Sequence, residues 1–158
     1  MISNPYLLLM LPAILILWFG VIFLMLTRKK TSNRVILVDA WNTFVTEAGV
    51  DIEMQKILDR FPNKKIILTN ANEEEKIQFG IVNMPYEVFS LAHNPNKPDP
   101  EYYKKMLLHF HLDLTKVIYF EHNPDAVKSA QSVGIKTMWF DKEKRDLWEL
   151  EKFLKDNI

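Results

Sequence analysis

The chain has 158 residues, enough for about one domain, and it carries 20 basic and 20 acidic side chains but no cysteine. The lack of cysteine excludes a disulfide scaffold, a cysteine-ligated zinc site and a thiol nucleophile. The balanced and interspersed charges do not support a nucleic-acid-binding protein with a net basic surface.

The N-terminal segment, residues 1–27, is predicted to be a transmembrane anchor. No charged side chain precedes Arg28, and residues 6–26 form one uncharged, largely apolar run. As a helix this run would be about 31 Å long, which is enough to cross the hydrocarbon core of a bilayer. A short basic linker, residues 28–33, follows at once, so the positive-inside rule places the C-terminal domain in the cytoplasm.

A cleaved signal peptide is the main alternative for this segment, and it fits less well. No basic residue precedes the apolar run, and no small-x-small cleavage site follows it. We therefore expect a single-pass membrane protein whose soluble domain covers residues 34–158.

The soluble part alternates short apolar runs with helical patterns. A first strand is predicted over 34–39 and a second over 65–69, with a helix at 51–61 between them. The later elements are a short helix after the N-cap Asn72, a strand at 86–90, a helix at 99–111, a strand at 116–121, a helix at 124–133, a strand at 136–141 and a closing helix at 143–157. This alternation predicts an α/β fold, a doubly wound parallel sheet with helices on both faces.

Polar side chains mark the ends of the predicted strands. Asp39 directly follows VILV, Thr69 and Asn70 end KIILTN, and Glu121 ends KVIYFE, while Lys97 lies in the loop NPNKPDP. Ligands bind at the carboxyl ends of the strands in such sheets, so we expect these groups to converge there. Two carboxylates, a hydroxyl and an ammonium group suit a phosphoryl group held together with Mg²⁺.

The order of these residues resembles the haloacid dehalogenase (HAD) superfamily, which consists largely of phosphohydrolases with an aspartate nucleophile. Its first motif, Asp-x-Asp-x-Thr, has a degenerate match in residues 39–43 (DAWNT), and its second, a Ser or Thr, is matched by Thr69. The third motif, a Lys, is matched by Lys97 in KPDP, and the acidic fourth motif by Glu121 with His122. The resemblance covers about residues 34–141 and implies a HAD-like Rossmannoid sheet, with too few residues between the motifs for a cap domain.

The resemblance also implies a role for each matched residue. Asp39 would be the nucleophile and Lys97 a second catalytic residue, and Thr69, Asn70 and Lys97 would bind the substrate phosphate. Asp39 and Glu121 would be the ligands of Mg²⁺. We expect His122 to be a surface or hydrogen-bonding residue rather than a metal ligand, because imidazole is a poor ligand for Mg²⁺.

One departure from the family motif leaves two functions open. The family's general acid/base is the second carboxylate of motif one, and here that position holds Trp41, which cannot transfer a proton in this way. The first hypothesis is a weak Mg²⁺-dependent phosphohydrolase that forms an aspartyl phosphate. The second is a catalytically inactive HAD-like binding or interaction module at the membrane, with a phosphorylated ligand or a protein as its partner. Trp41 favours the second, whereas the presence of Asp39, Thr69 and Lys97 favours the first, because a decayed site would have no physical need for these three.

Overall fold

The computed structural model describes residues 33–158, and its central feature is a five-stranded parallel sheet. The strands are β1 (Val35–Asp39), β2 (Val45–Thr46), β3 (Gly49–Val50), β4 (Lys65–Thr69), β5 (Glu87–Ser90), β6 (Val117–Glu121) and β7 (Lys136–Trp139). The sheet has the order β5-β4-β1-β6-β7, while β2 and β3 form a separate antiparallel hairpin. From β1 the chain first builds one side of the sheet and then crosses to the other, which creates a switch point between the carboxyl ends of β1 and β6.

Five α-helices lie within residues 33–158, four between strands and one after β7, and each begins after an Asp or Asn. They are α1 (Ile52–Asp59), α2 (Glu73–Gln78), α3 (Pro100–His109), α4 (Pro124–Ser132) and α5 (Leu147–Asn157). In each case the side chain of the preceding Asp or Asn accepts a backbone N–H of the first turn. Such N-caps satisfy donors that have no partner inside the helix, and they fix where each helix starts.

The core lies on both faces of the sheet, because alternate residues of a strand point to opposite sides. In β1, Ile36 and Val38 pack into one apolar cluster with Leu58 of α1 and Leu150 of α5. The other cluster contains Leu37 together with residues of α3 and α4, among them Tyr102, Tyr103, Met106 and Ala130. The predicted doubly wound α/β sheet is therefore confirmed.

The β2–β3 hairpin was not predicted, since we expected the residues between the first two large strands to be largely one helix. Its strands have two residues each, too few to show an alternating pattern. Arg145 links the hairpin region to the C-terminal part of the chain, because its Nη2 donates to the carbonyl of Thr43 at 2.9 Å and also pairs with Asp51. This contact spans 102 residues of sequence, so no local pattern could predict it.

The closing helix begins at Leu147, four residues later than predicted. The Asp141 carboxylate accepts the backbone N–H groups of Glu143 and Lys144, and Arg145 has a φ of 48°. A left-handed residue cannot continue a right-handed helix, so the chain starts again at Asp146 as the N-cap.

The predicted anchor, residues 1–27, and residues 28–32 of the linker lie outside the described residues. Between residues 33 and 158, no helix combines the length and the apolar composition needed to span a bilayer.

Candidate functional site

Two carboxylates and a lysine meet at the switch point of the sheet. Asp39 is the last residue of β1, and Glu121 is the last residue of the neighbouring strand β6. The Nζ of Lys97, from the loop before α3, donates to Asp39 Oδ1 and, at 2.7 Å, to Glu121 Oε2. All three residues are at most 6% exposed. The structure thus brings together three of the groups that the strand-end argument placed at one edge.

Thr43 forms a hydrogen bond with the oxygen of the Asp39 carboxylate that does not contact Lys97. Its hydroxyl is fully buried and donates to Asp39 Oδ2 at 2.5 Å. The preceding residue, Asn42, has a φ of 62°, which turns the chain sharply after β1. Asn adopts this left-handed conformation more readily than most residues, so it serves here in place of glycine.

His122 adds a second cation to the cluster. Its Nδ1 lies 2.5 Å from Asp39 Oδ2, 3.2 Å from Glu121 Oε1 and 3.3 Å from the Thr43 hydroxyl. Burial lowers the pKa of the ring, but its hydrogen bonds to Asp39 and Glu121 outweigh burial and raise that pKa to about 9. The ring is therefore an imidazolium at neutral pH and donates to Asp39.

The two buried partners Asp39 and Lys97 stabilise each other in their charged forms. Burial alone would raise the pKa of the Asp39 carboxyl, but the charge of Lys97 and the hydrogen bond from His122 hold that pKa well below its usual value. Burial likewise opposes the charge of Lys97, while Asp39 and Glu121 raise the pKa of its ammonium group. In the low-dielectric interior each such ion depends on its counterion.

The two residues that end β4 take different positions. Thr69 is buried at the wall of the site, and its hydroxyl accepts the backbone N–H of Ala71 at 3.2 Å. The side-chain oxygen of Asn70 accepts the backbone N–H of Lys97 at 2.8 Å, so Asn70 positions the lysine loop. Binding of a substrate phosphate by Thr69, Asn70 and Lys97 stays a prediction.

The cluster opens into a cavity of about 220 Å³. Its apolar lining includes Trp41 and Phe79, whose ring centroids are 4.7 Å apart. Its lining also contains an ion pair between His93 and Glu75, in which His93 Nε2 lies 2.5 Å from Glu75 Oε2. The volume is below the range usual for drug-sized ligands, so a phosphoryl group with a small substituent would fill it.

The donor set does not fit the Mg²⁺ ion that the family resemblance implies. Asp39 and Glu121 were the predicted ligands, but the nitrogen of His122 lies between them, and the three ligand atoms are within 4.8 Å of one another. Mg²⁺ requires a nearly octahedral shell of oxygens, whereas a set of two carboxylates and an imidazole is typical of transition metals.

Two contacts of the cluster had not been inferred from sequence. Thr43 was only part of a motif match, and the Tyr119 hydroxyl, which donates to Glu121 Oε2, was not considered. His122 was expected to form hydrogen bonds, but its partners were not identified. A signal for His122 was present, because it directly follows the strand-end carboxylate of Glu121 and so lies at the same edge of the sheet.

Several solved structures are similar to this chain. An uncharacterised protein from Listeria monocytogenes is 15% identical with a TM-score of 0.58, and the match covers 77% of this chain and 97% of that one. The core domain of a candidate phosphoglycolate phosphatase from Streptococcus pneumoniae is 16% identical with a TM-score of 0.55, covering 78% and 96% of the two chains. A HAD-superfamily hydrolase from Ehrlichia chaffeensis is 16% identical with a TM-score of 0.51, covering 66% and 56%.

Sequence comparison adds nothing to this, since no protein-family model and no curated protein matches the chain. The fold follows from the likeness to these structures and from the strand order, with Asp39 at the end of the central strand. Residues 33–158 have the fold of the haloacid dehalogenase (HAD) superfamily.

Proposed function

We propose that the domain is a phosphate-ester hydrolase of low turnover, with Asp39 as the nucleophile. The observation that carries this proposal is the meeting of Asp39, Lys97 and Thr69 on one small cavity at the switch point of the sheet. A buried carboxylate kept ionised by two cations is chemically suited to attack an electrophilic phosphorus.

The proposed reaction has two covalent steps. A carboxylate oxygen of Asp39 bonds to phosphorus while the bond from phosphorus to the ester oxygen breaks, which gives an aspartyl phosphate and an alkoxide. Water then attacks this acyl phosphate and releases inorganic phosphate, which restores the carboxylate. Two N–H donors of Lys97 are used by Asp39 and Glu121, which leaves the third for a phosphoryl oxygen.

Low turnover follows from the residue at position 41. The departing alkoxide needs a proton, and the Trp41 ring, packed on Phe79, has no acidic group to supply one. Only a hairpin and the eight-residue helix α1 lie between β1 and β4, so no cap domain within residues 33–158 covers the cavity. The carboxylic acid that the family places at this position is thus missing, and with it the acceleration of about 10²–10⁴-fold that a positioned general acid contributes.

The change Asp39→Asn tests the proposal. We expect the full chain to release inorganic phosphate slowly from a small aryl phosphate, and the variant to release none above background, because an amide cannot form the acyl phosphate. Phosphate release is measured for both proteins on the aryl ester and on a panel of phosphorylated metabolites, with and without Mg²⁺.

The matched control is Asp125→Asn, which makes the same chemical change at an exposed residue of α4. It should release phosphate at the wild-type rate. Equal release by the wild type and the Asp39→Asn variant would remove Asp39 as the nucleophile.

A non-catalytic binding module is the second candidate, and a specific observation favours it. Both oxygens of Asp39 already accept hydrogen bonds, from Lys97 on one side and from Thr43 and His122 on the other. A carboxylate held in this way is a weaker nucleophile. Thermal stabilisation by a phosphate mimic such as BeF₃⁻, with no phosphate release from any ester, would support this candidate over the hydrolase.

We also propose that residues 1–27 anchor the domain in a membrane with residues 34–158 in the cytoplasm, based on the uncharged run before Arg28 and the basic residues after it. We expect the full chain to stay in the membrane pellet after an alkaline wash, because a spanning helix is held by its apolar surface rather than by charge. Fractionation followed by immunodetection measures this. Release into the alkaline supernatant would contradict the anchor.

A further inference from the structure

All four carboxylate oxygens of the site accept a hydrogen bond from the protein itself. Lys97 donates to Asp39 Oδ1 and to Glu121 Oε2, and the Tyr119 hydroxyl also donates to the latter. Glu121 Oε1 accepts the backbone N–H of Asn123 at 2.8 Å. The oxygen Asp39 Oδ2 accepts from Thr43 and His122. Three of the four oxygens, all except Asp39 Oδ1, have two polar neighbours each, so a metal ion bound to both carboxylates would compete with donors already in place.

One donor, the ring nitrogen of His122, lies between the two carboxylates, where a metal ion shared by them would also lie. Among residues 33–158, the Nδ1 of His122 is the one nitrogen with ion-pair contacts to both Asp39 Oδ2 and Glu121 Oε1, at 2.5 and 3.2 Å. These are the oxygens on the side away from Lys97. The His122 side chain is 21% exposed and lines the cavity, so it also faces any ligand bound there.

We propose that the His122 side chain permanently takes the place of the divalent cation, so that the site binds phosphate without Mg²⁺. The Nδ1 of His122 contacts Asp39 Oδ2 and Glu121 Oε1, and the Nζ of Lys97 contacts the other two oxygens, so each side of the carboxylate pair is occupied by a nitrogen of the protein. The same two side chains offer hydrogen-bond donors to an anion that two bare carboxylates would repel. The part of this inference that concerns phosphate rests on the proposed function, whereas the part that concerns Mg²⁺ does not.

The backbone at His122 is fixed from outside the cluster as well. The exposed side chain of Trp139, at the end of β7, donates its indole N–H to the backbone carbonyl of His122 at 2.8 Å. The residue after His122, Asn123, is the N-cap of α4 and cannot move without breaking that cap. His122 is thus held on both sides, as expected of a permanent member of the site.

Metal binding to the full chain tests this directly. We expect isothermal titration of the wild type with MgCl₂ to show no binding. The variants His122→Asn and His122→Asp should both bind Mg²⁺, because each removes the imidazolium and adds an oxygen ligand beside Asp39 and Glu121. The control is His111→Asn, at an exposed histidine with a φ of 53° that asparagine tolerates; it should behave as the wild type.

Binding of inorganic phosphate is the second measurement. The wild type should bind it equally well in EDTA and in MgCl₂, whereas His122→Asn should bind it at least tenfold more weakly in EDTA and recover when Mg²⁺ is added. Mg²⁺ binding by the wild type, or Zn²⁺ binding by the wild type that His122→Asn abolishes, would overturn the inference, since His122 would then share the site with a metal. Failure of both His122 variants to bind Mg²⁺ would overturn it as well.

The two measurements separate the inference from the proposed function. Suppose that the wild type binds neither Mg²⁺ nor phosphate, while a His122 variant binds Mg²⁺. This result would support the role of His122 and would contradict the phosphate site.

Discussion

Replacing Lys97 with methionine is expected to lower the free energy of unfolding by about 3–5 kcal/mol, the usual cost of leaving buried charge without its partner. Lys97 is the shared counterion of Asp39 and Glu121, which are 1% and 0% exposed. Methionine keeps most of the aliphatic length of lysine, so little of the loss comes from packing. The measurement is urea unfolding of the full chain, followed by far-UV circular dichroism.

The control is Lys104→Met in α3, which breaks a lysine–carboxylate pair whose side chains are more than half exposed. Exposed pairs contribute little, so we expect this change to cost well under about 1 kcal/mol. Adding Glu121→Gln to Lys97→Met should recover part of the lost stability by removing one unpaired charge. A Lys97→Met protein as stable as the Lys104→Met protein would show that the buried cluster does not stabilise the fold.

Protonation of His122 is expected to stabilise the domain by up to about 3 kcal/mol below neutral pH. The pKa of the ring rises from an ordinary 6.5 to about 9 in the folded protein, and one pKa unit corresponds to about 1.4 kcal/mol. Because the folded pKa is the higher one, this contribution is fully present below about pH 6.5 and is lost as the pH rises to about 9. The free energy of unfolding of the wild type should therefore fall relative to that of His122→Asn across this range.

The titration itself is measured by NMR of the His122 ring, whose midpoint should lie near pH 9. In the Asp39→Asn variant the midpoint should be lower, because the variant removes one of the two carboxylates that hold the proton. A midpoint near pH 6.5 in the wild type would show that the carboxylates do not act on the ring.

The sequence was sufficient to predict the sheet because its signals were local and repeated. Strands such as β4 are continuous apolar runs, and the helices start at clear caps such as Asn72 and Asn123. The errors lie where the deciding contact is distant in sequence or the element is very short. The hairpin has two residues in each strand and is fixed by Arg145, and the start of α5 depends on a left-handed residue that no propensity indicates.

The candidate site also has parts that the sequence could predict and parts that it could not. Asp39 and Glu121 could be placed together because they end neighbouring strands, and Lys97 because its loop precedes a helix at the same edge. The direction in which a side chain points could not be predicted from the sequence. The ring nitrogen of His122 lies between two carboxylates through its contacts with Asp39, Glu121 and Thr43, residues that are distant in sequence or set by the turn after β6.

The shared lysine has a consequence for how the domain can evolve. In the sequence, the presence of Asp39 and Lys97 favours an enzyme, because an idle site would have no use for them. Yet Lys97 is the counterion shared by two buried carboxylates, so a mutation that removes it alone passes through a destabilised intermediate. Drift away from Lys97 requires compensating changes at the carboxylates, and selection for folding alone would preserve these residues long after any turnover had been lost.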